Sequence, residues 1–269
     1  MREHAMGEEQ DAGVRAERRG PVAVWTVDRP DRMNSLARET VRRIGRLARR
    51  AATDREVRAV VITGAGDRAF SAGADLKERR GMDTEDVRDM LALYQAAFGY
   101  VDRLPKPVVA AINGVAFGGG LELALACDLR VMAPHAEVGL TEVSLGIIPG
   151  AGGTQRLTRV VGPAKAKELV LLSRRLGAPE ARALGVVHEV APEGRELLDF
   201  TLEWIDPLAR GAPLAVAAAL DAIDAAADLP LDAGLLKERE CYERTLESKD
   251  RLEALEAFAQ KRPPIFKGE

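Results

Sequence analysis

Cysteine and histidine are scarce in this chain of 269 residues: Cys127 and Cys241, and His4, His135 and His188. The two cysteines are not spaced as a metal or redox motif and offer little disulfide framework, and the scattered histidines do not suggest a His-based metal site. Aromatic residues make up 4%, which gives little surface for stacking nucleic-acid bases. An excess of one charge is also missing. With 39 Lys+Arg against 42 Asp+Glu the formal net charge is −3, so the molecule as a whole is not a polycation. No run approaches the roughly 20 apolar residues that a bilayer span needs. The charged opening MREHAMGEEQDAGVRAERRG lacks the apolar core of a secretory signal. No Gly-Lys-Ser/Thr occurs, so a Walker A phosphate loop is excluded. What is left, with 46% apolar and 30% charged residues, reads as a soluble, metal-free, cytoplasmic protein able to bury a core.

Residues 1–12 are polar and are expected to be disordered. Two extended runs follow, Val14–Arg18 and Val22–Val27, joined near Gly20-Pro21 as a hairpin. Arg38–Ala52 carries Val41, Ile44, Leu47 and Ala48 on one helical stripe between arginines. Arg58–Thr63 and Val108–Ile112 read as buried parallel strands, Leu121–Ala126 as a short apolar helix, and Leu129–Met132 as another strand. The segment around Met82–Tyr100 gives no clear pattern. Alternating strands and helices argue for an α/β architecture. Beyond about Ala191 the strand signals stop, and Thr201–Leu208, Pro213–Ala226, Ala233–Leu246 and Asp250–Ala259 read as helices of an assembly or lid region rather than of an independent domain.

Several motifs invite chemistry. Gly64-Ala65-Gly66-Asp67-Arg68-Ala69 matches a dinucleotide fingerprint in form, but no helix opens inside it, and a plain turn is the better reading. Two glycine-rich segments, Ser71-Ala72-Gly73-Ala74-Asp75-Leu76 and Phe117-Gly118-Gly119-Gly120-Leu121-Glu122, each follow a strand pattern. Consecutive glycines cost backbone entropy, so they mark either tight helix–sheet packing or a backbone that approaches a ligand. In the second case their N–H groups could serve one developing oxyanion. Glu122 and Glu142 are acids in largely apolar runs, where an ionised carboxylate is costly unless paired or used. Two such groups at one site would supply an acid and a base. Pro149-Gly150-Ala151-Gly152-Gly153-Thr154-Gln155-Arg156 reads as a turn shaping the site wall. Arg38, Arg42 and Arg46 share one face of a basic helix. A solvated face explains them better than phosphate contact, since arginine dominates the cations throughout the chain.

Taken together, Ala72-Gly73-Ala74-Asp75-Leu76-Lys77-Glu78, Asn113-Gly114, Gly118-Gly119-Gly120-Leu121-Glu122-Leu123-Ala124, Cys127-Asp128 and Ile148-Pro149-Gly150-Ala151-Gly152-Gly153-Thr154-Gln155-Arg156-Leu157 resemble the enoyl-CoA hydratase/isomerase (crotonase) family from about Val14 to the C-terminus. The tail from Lys249 to Glu269 and the run Leu121–Val131 look most like its methylglutaconyl-CoA hydratase branch. The resemblance implies a spiral of ββα turns over residues 13–200. It also implies a helical region over 201–269 that drives trimers, often paired as hexamers. It places an oxyanion hole at the N–H groups of Ala74 and Gly119, with Ala72, Gly73, Asp75, Leu76, Lys77 and Gly118 also binding substrate. Glu122 and Glu142 become the catalytic carboxylates, Glu122 activating water and Glu142 protonating C2. Family members that catalyse other reactions commonly lack one acid, so retention of both points to hydration of a short-chain 2-enoyl-CoA such as 3-methylglutaconyl-CoA. Isomerisation is the alternative within the family. No metal or redox cofactor is implied, since coenzyme A enters as part of the substrate. That branch is also known for binding AU-rich RNA through lysines falling on Arg38, Arg42 and Arg46, which leaves an RNA-binding function as the alternative of another class.

Overall fold

The computed structural model describes residues 12–269, so the disorder expected for residues 1–12 falls, Ala12 apart, outside the described residues. Strands β1 (Val14–Arg19) and β2 (Val22–Val27) form the expected hairpin, with Val14 opposite Val27. Helix α1 (Arg38–Thr53) buries Val41, Ile44, Leu47, Ala48 and Ala51, the stripe read from the sequence. It leads to β3 (Ala59–Gly64), buried at every position. Next come β4 (Ala69–Ser71), a one-turn α2 (Leu76–Arg79) and the long α3 (Thr84–Asp102). A second passage runs through β5 (Val108–Ile112), β6 (Val115–Phe117) and α4 (Gly119–Leu125). A third runs through β7 (Leu129–Met132), β8 (Glu137–Gly139), a 3-10 turn at Glu142–Leu145 and α5 (Gly153–Leu171), which is broken at Gly162 just before Pro163.

Each passage lays one strand in each of two sheets. The large sheet has the order β1-β2-β3-β5-β7-β10 and the small one β4-β6-β8-β9, where β9 is Leu176–Gly177 and β10 is Glu189–Val190. Helix α6 (Ala178–Ala183) lies between these two in the chain. Strands β3, β5 and β7 pair in parallel, as do β4, β6 and β8. This is the expected spiral of ββα turns. Continuous runs such as Ala59-Val60-Val61-Ile62 suit central parallel strands that are covered on both faces.

The small sheet has no counterpart in the sequence pattern, because strands of two or three residues are too short to show a period. The helix expected at Thr201–Leu208 is instead two, α7 (Leu197–Trp204) and α8 (Asp206–Arg210). Pro207 lacks an N–H and its ring would clash with the carbonyl four residues back, so one continuous helix is excluded. Helices α9 (Pro213–Ala225), α10 (Leu231–Leu246) and α11 (Lys249–Ala259) complete the tail. Buried Asp250 holds its end, accepting the N–H groups of Lys267 at 2.7 Å and Gly268 at 2.8 Å. Among the described residues no helix is long and apolar enough to cross a membrane.

Candidate active site

Strands β4 and β6 are neighbours in the small sheet, so the two glycine-rich segments that follow them arrive side by side. Gly73 has φ +92°, and a Cβ there would lie 2.8 Å from the Phe117 carbonyl. Only glycine allows this approach. A short bridge pairs Leu36 with Ala74 in parallel. Its hydrogen bonds run from Leu36 N–H to Gly73 O at 2.8 Å and from Asp75 N–H to Leu36 O at 3.3 Å. That alternation turns the Ala74 N–H away from Leu36. Gly119 opens α4, and its N–H belongs to the first turn, which has no acceptor within the helix. The Ala74 nitrogen lies 3.7 Å from where a Cβ on Gly119 would stand. Two backbone donors are thereby presented close together.

Tyr94 on α3 fastens this arrangement. Its hydroxyl donates to the Leu36 carbonyl, and its ring edge would lie 3.3 Å from a Cβ on Gly119. Burial, with the carboxylates of Glu78, Glu122 and Asp75 adding to it, pushes the phenol pKa far upward, so the hydroxyl remains a donor. Arg29 braces the other side, with Nη2 2.7 Å from Asp75 Oδ2 and Nη1 2.7 Å from the Ser35 carbonyl.

Glu122 projects from the first turn of α4 and is 3% exposed. Its Oε1 accepts two N–H groups, from Ala151 and Gly153, each at 2.8 Å. Burial pushes its pKa up, while those two N–H groups and the charge of Arg156 pull against it, and the net direction is upward. Glu142 begins the 3-10 turn and is 8% exposed. A Cβ on Gly118 would stand 3.1 Å from its Oε1, which brings it against the turn that opens α4. Its Oε2 is buried with no hydrogen-bond partner among the described residues. Burial, with the nearby Glu122 charge adding to it, raises Glu142 to about 7. The two acids thus differ in their surroundings: two N–H groups favour the ionised form of Glu122 against its burial, whereas Glu142 keeps a buried oxygen without a hydrogen-bond partner among the described residues.

Both acids and both backbone donors face a cavity of about 820 Å³, within the range of small-molecule sites. Ala72, Gly73 and Gly118 share its wall, as do Asp75 and Leu76. The Asp75 carboxylate is occupied structurally, since it caps α2 by accepting the Lys77 and Glu78 N–H groups as well as pairing with Arg29. Lys77 is exposed on α2 and lies outside the cavity wall. Much of the remaining wall comes from α3 through Val87, Met90, Leu91, Tyr94 and Gln95. Those residues recur at helical spacing, a signal available in the sequence segment that otherwise showed no clear pattern.

Within residues 149–156, Pro149 through Gly152, Thr154 and Gln155 form site wall, in a turn that becomes α5 at Gly153. The Gly64–Ala69 segment is a turn pinned by two asparagines. Asn34 Nδ2 donates to the Ala65 and Ala69 carbonyls at 3.0 and 2.6 Å, and Asn113 Nδ2 to Gly66 and Ala69 at 2.7 and 3.1 Å. Arg42 and Arg46 are exposed on α1, Arg38 is half-buried, and Arg42 pairs with Glu39. Among the described residues no group of three or more His, Cys, Asp or Glu could hold a metal ion.

Known proteins are similar to this chain over most of its length. A methylglutaconyl-CoA hydratase from Rattus norvegicus is 41% identical over 260 residues, covering 94% of this chain and 81% of its own. A short-chain-enoyl-CoA hydratase from Clostridium acetobutylicum is 39% identical over 246 residues, covering 91% and 94%. The crystal structure of an enoyl-CoA hydratase from Bacillus anthracis superposes with a TM-score of 0.93 at 42% identity, covering 96% of this chain and 100% of that one. The family model described as enoyl-CoA hydratase/isomerase matches residues 17–269, and with that match across both sheets and the helical tail, the chain belongs to the enoyl-CoA hydratase/isomerase family.

Proposed function

We propose that this enzyme hydrates a short-chain 2-enoyl-CoA. The observation that carries the reading is the unlike pair of glutamates, Glu122 held by two N–H groups and Glu142 buried with a free oxygen, beside two backbone donors. The thioester carbonyl would accept from Ala74 and Gly119 N–H, which polarises the conjugated double bond and makes C3 electrophilic. Water, oriented by the Glu122 carboxylate, adds through its oxygen to C3 and gives its proton to that carboxylate. The electron pair of the C2=C3 bond moves to the thioester oxygen as an enolate. Glu142 then delivers its proton to C2, the carbonyl re-forms, and a 3-hydroxyacyl-CoA results. Proton exchange with solvent resets both acids. Each donor of such an oxyanion site is typically worth about 2.7–4 kcal/mol of barrier, and acid–base assistance adds roughly 10²–10⁴-fold.

The similarity to the rat methylglutaconyl-CoA hydratase and the clostridial short-chain enzyme supports 3-methylglutaconyl-CoA or crotonyl-CoA as substrate. The α3 wall, with Val87, Met90 and Leu91, supports an apolar environment for part of the acyl group. Copies of the chain are further proposed to assemble through the helical tail. There Leu231 and Leu236 on α10 are 77% and 75% exposed, and Phe258 on α11 is 86% exposed.

Loss of enoyl absorbance with each of the two thioesters tests the reaction. Rapid loss with a 3-hydroxyacyl-CoA product is expected, and Glu142→Gln should slow it by about 10²–10⁴-fold. Unchanged hydration in that variant would remove the acid role of Glu142. Migration of the double bond with no hydroxyacyl product would instead make the enzyme an isomerase.

A further inference from the structure

Glu122 depends on a turn, and the turn is itself held by side chains of α3 and α5. The two N–H groups on its carboxylate belong to Ala151 and Gly153, in a segment with little regular structure of its own. The Ala151 carbonyl accepts from Arg156 Nη1 at 3.1 Å. Arg156 makes a two-pronged pair with Asp102, Nε to Oδ1 at 3.1 Å and Nη2 to Oδ2 at 3.0 Å. Asp102 is the last residue of α3, and the same helix grips the other end of the turn, where Gln95 Nε2 donates to the Gly150 carbonyl at 2.8 Å.

The glycines of the turn fit this arrangement. Gly152 has φ +106°, and a Cβ there would stand 2.1 Å from Arg156 Nη1, so the guanidinium lies where a side chain would be. A Cβ on Gly153 would stand 2.9 Å from both Cγ and Oε1 of Glu122. One glycine admits the arginine and the next admits the glutamate. Ala151 links the two side chains, its N–H donating to Glu122 and its carbonyl accepting from Arg156.

We propose that Arg156 and Asp102 are positioning residues for Glu122: the pair fixes the 151–153 turn so that its N–H groups orient the carboxylate. This rests on the reading of Glu122 as the group that activates water. A planar guanidinium held at both prongs by a carboxylate has one orientation, which a lysine ammonium cannot reproduce. The arginine also brings a positive charge near the Glu122 carboxylate, which favours its ionised form. Because Glu122 must be ionised to act, activity falls as pH drops through its pKa. Removing the charge raises that pKa, so the acid limb of the rate profile moves to higher pH. Loss of fold alone would lower the amplitude and leave the limb in place.

The test compares Arg156→Gln, Arg156→Lys, Asp102→Asn and Glu122→Gln with the wild-type chain on the thioester that turns over best. Measured are kcat, KM, the pH dependence of kcat/KM, and Tm. Arg156→Gln should lose roughly 10–100-fold in kcat, as a misoriented catalytic group does, with KM little changed and the acid limb displaced upward. Arg156→Lys should keep the limb near its wild-type position while still losing kcat. Asp102→Asn should lose kcat because the fork is broken. Wild-type kcat and an unmoved limb in Arg156→Gln, beside an inactive Glu122→Gln, would overturn the proposal alone. Full activity in Glu122→Gln would overturn the parent reading and the proposal with it. If Arg156→Gln does not fold, Asp102→Asn, at a half-exposed position, carries the decision, and wild-type kcat there is the overturning result.

Discussion

Burying Glu142 costs the fold stability at neutral pH and above. The carboxyl has a pKa of about 7 in the folded protein against an ordinary 4.5, with burial as the main cause. Between those values the folded state binds more protons than the unfolded one. Stability therefore decreases as pH rises through that window, and the favourable contribution is complete only below the ordinary pKa. Glu142→Gln removes the buried charge without changing shape. It should raise Tm at pH 8 and leave it nearly unchanged at pH 4.5, as thermal unfolding at the two pH values would show. A gain of the same size at both would mean that ionisation is not the cause. Such a gain in stability accompanied by loss of turnover is the usual trade at active sites. Both glutamates were conspicuous in the sequence as acids among apolar residues. Unlike roles for them were implied only by the family resemblance; the physical difference rests on N–H groups of Ala151 and Gly153, 29 and 31 residues from Glu122, and on the burial of Glu142 with one oxygen unpartnered among the described residues.

At the scale of elements, the site is built by α3 and α4. Helix α4 must pack hard against β4 to present Gly119, and Gly120 is where they touch: a Cβ there would stand 2.1 Å from the Ser71 carbonyl. Backbone cannot yield as a side chain can. Gly120→Ala should therefore destabilise by about 1–3 kcal/mol, the usual cost of overpacking. Denaturant unfolding would measure it, and an unchanged midpoint would show that the two elements separate freely. Three glycines at the start of α4 were open to two sequence readings, close packing or close approach to a ligand. The structure divides them, with Gly120 packed against β4 and Gly118 and Gly119 on the cavity wall. Helix α3 supports both halves of the site, Tyr94 on the donor side and Gln95 and Asp102 on the Glu122 side. Its apolar spacing was readable, but its polar contacts involve residues far away in the chain, which no local pattern reports.

For the whole molecule, the helical tail holds several large apolar side chains in water, which the proposed assembly would cover. Leu252 and Leu255 on α11 are 57% and 59% exposed, in addition to Leu231, Leu236 and Phe258. The expected outcome is a trimer or a pair of trimers by sedimentation velocity. Leu236→Lys combined with Phe258→Glu should shift the protein toward monomers. A wild-type chain that sediments as a monomer at micromolar concentration would dismiss assembly through this face.

The alternation of strands and helices, the hairpin, the buried stripe of α1 and the change to helices near the tail all follow from residue periodicity. That period is set locally by backbone geometry and by which side chains avoid water. The glycine-rich segments and two isolated acids likewise marked themselves by their cost. Three-residue strands carry no period, so the small sheet emerges only from the spiral that pairs β4, β6 and β8. Convergence is a property of the same packing. Ala74 beside Gly119, Glu142 against Gly118, and Arg156 between Asp102 and Ala151 are contacts across the fold. Their energies arise from burial and from hydrogen bonds between residues that come together only when the sheets close.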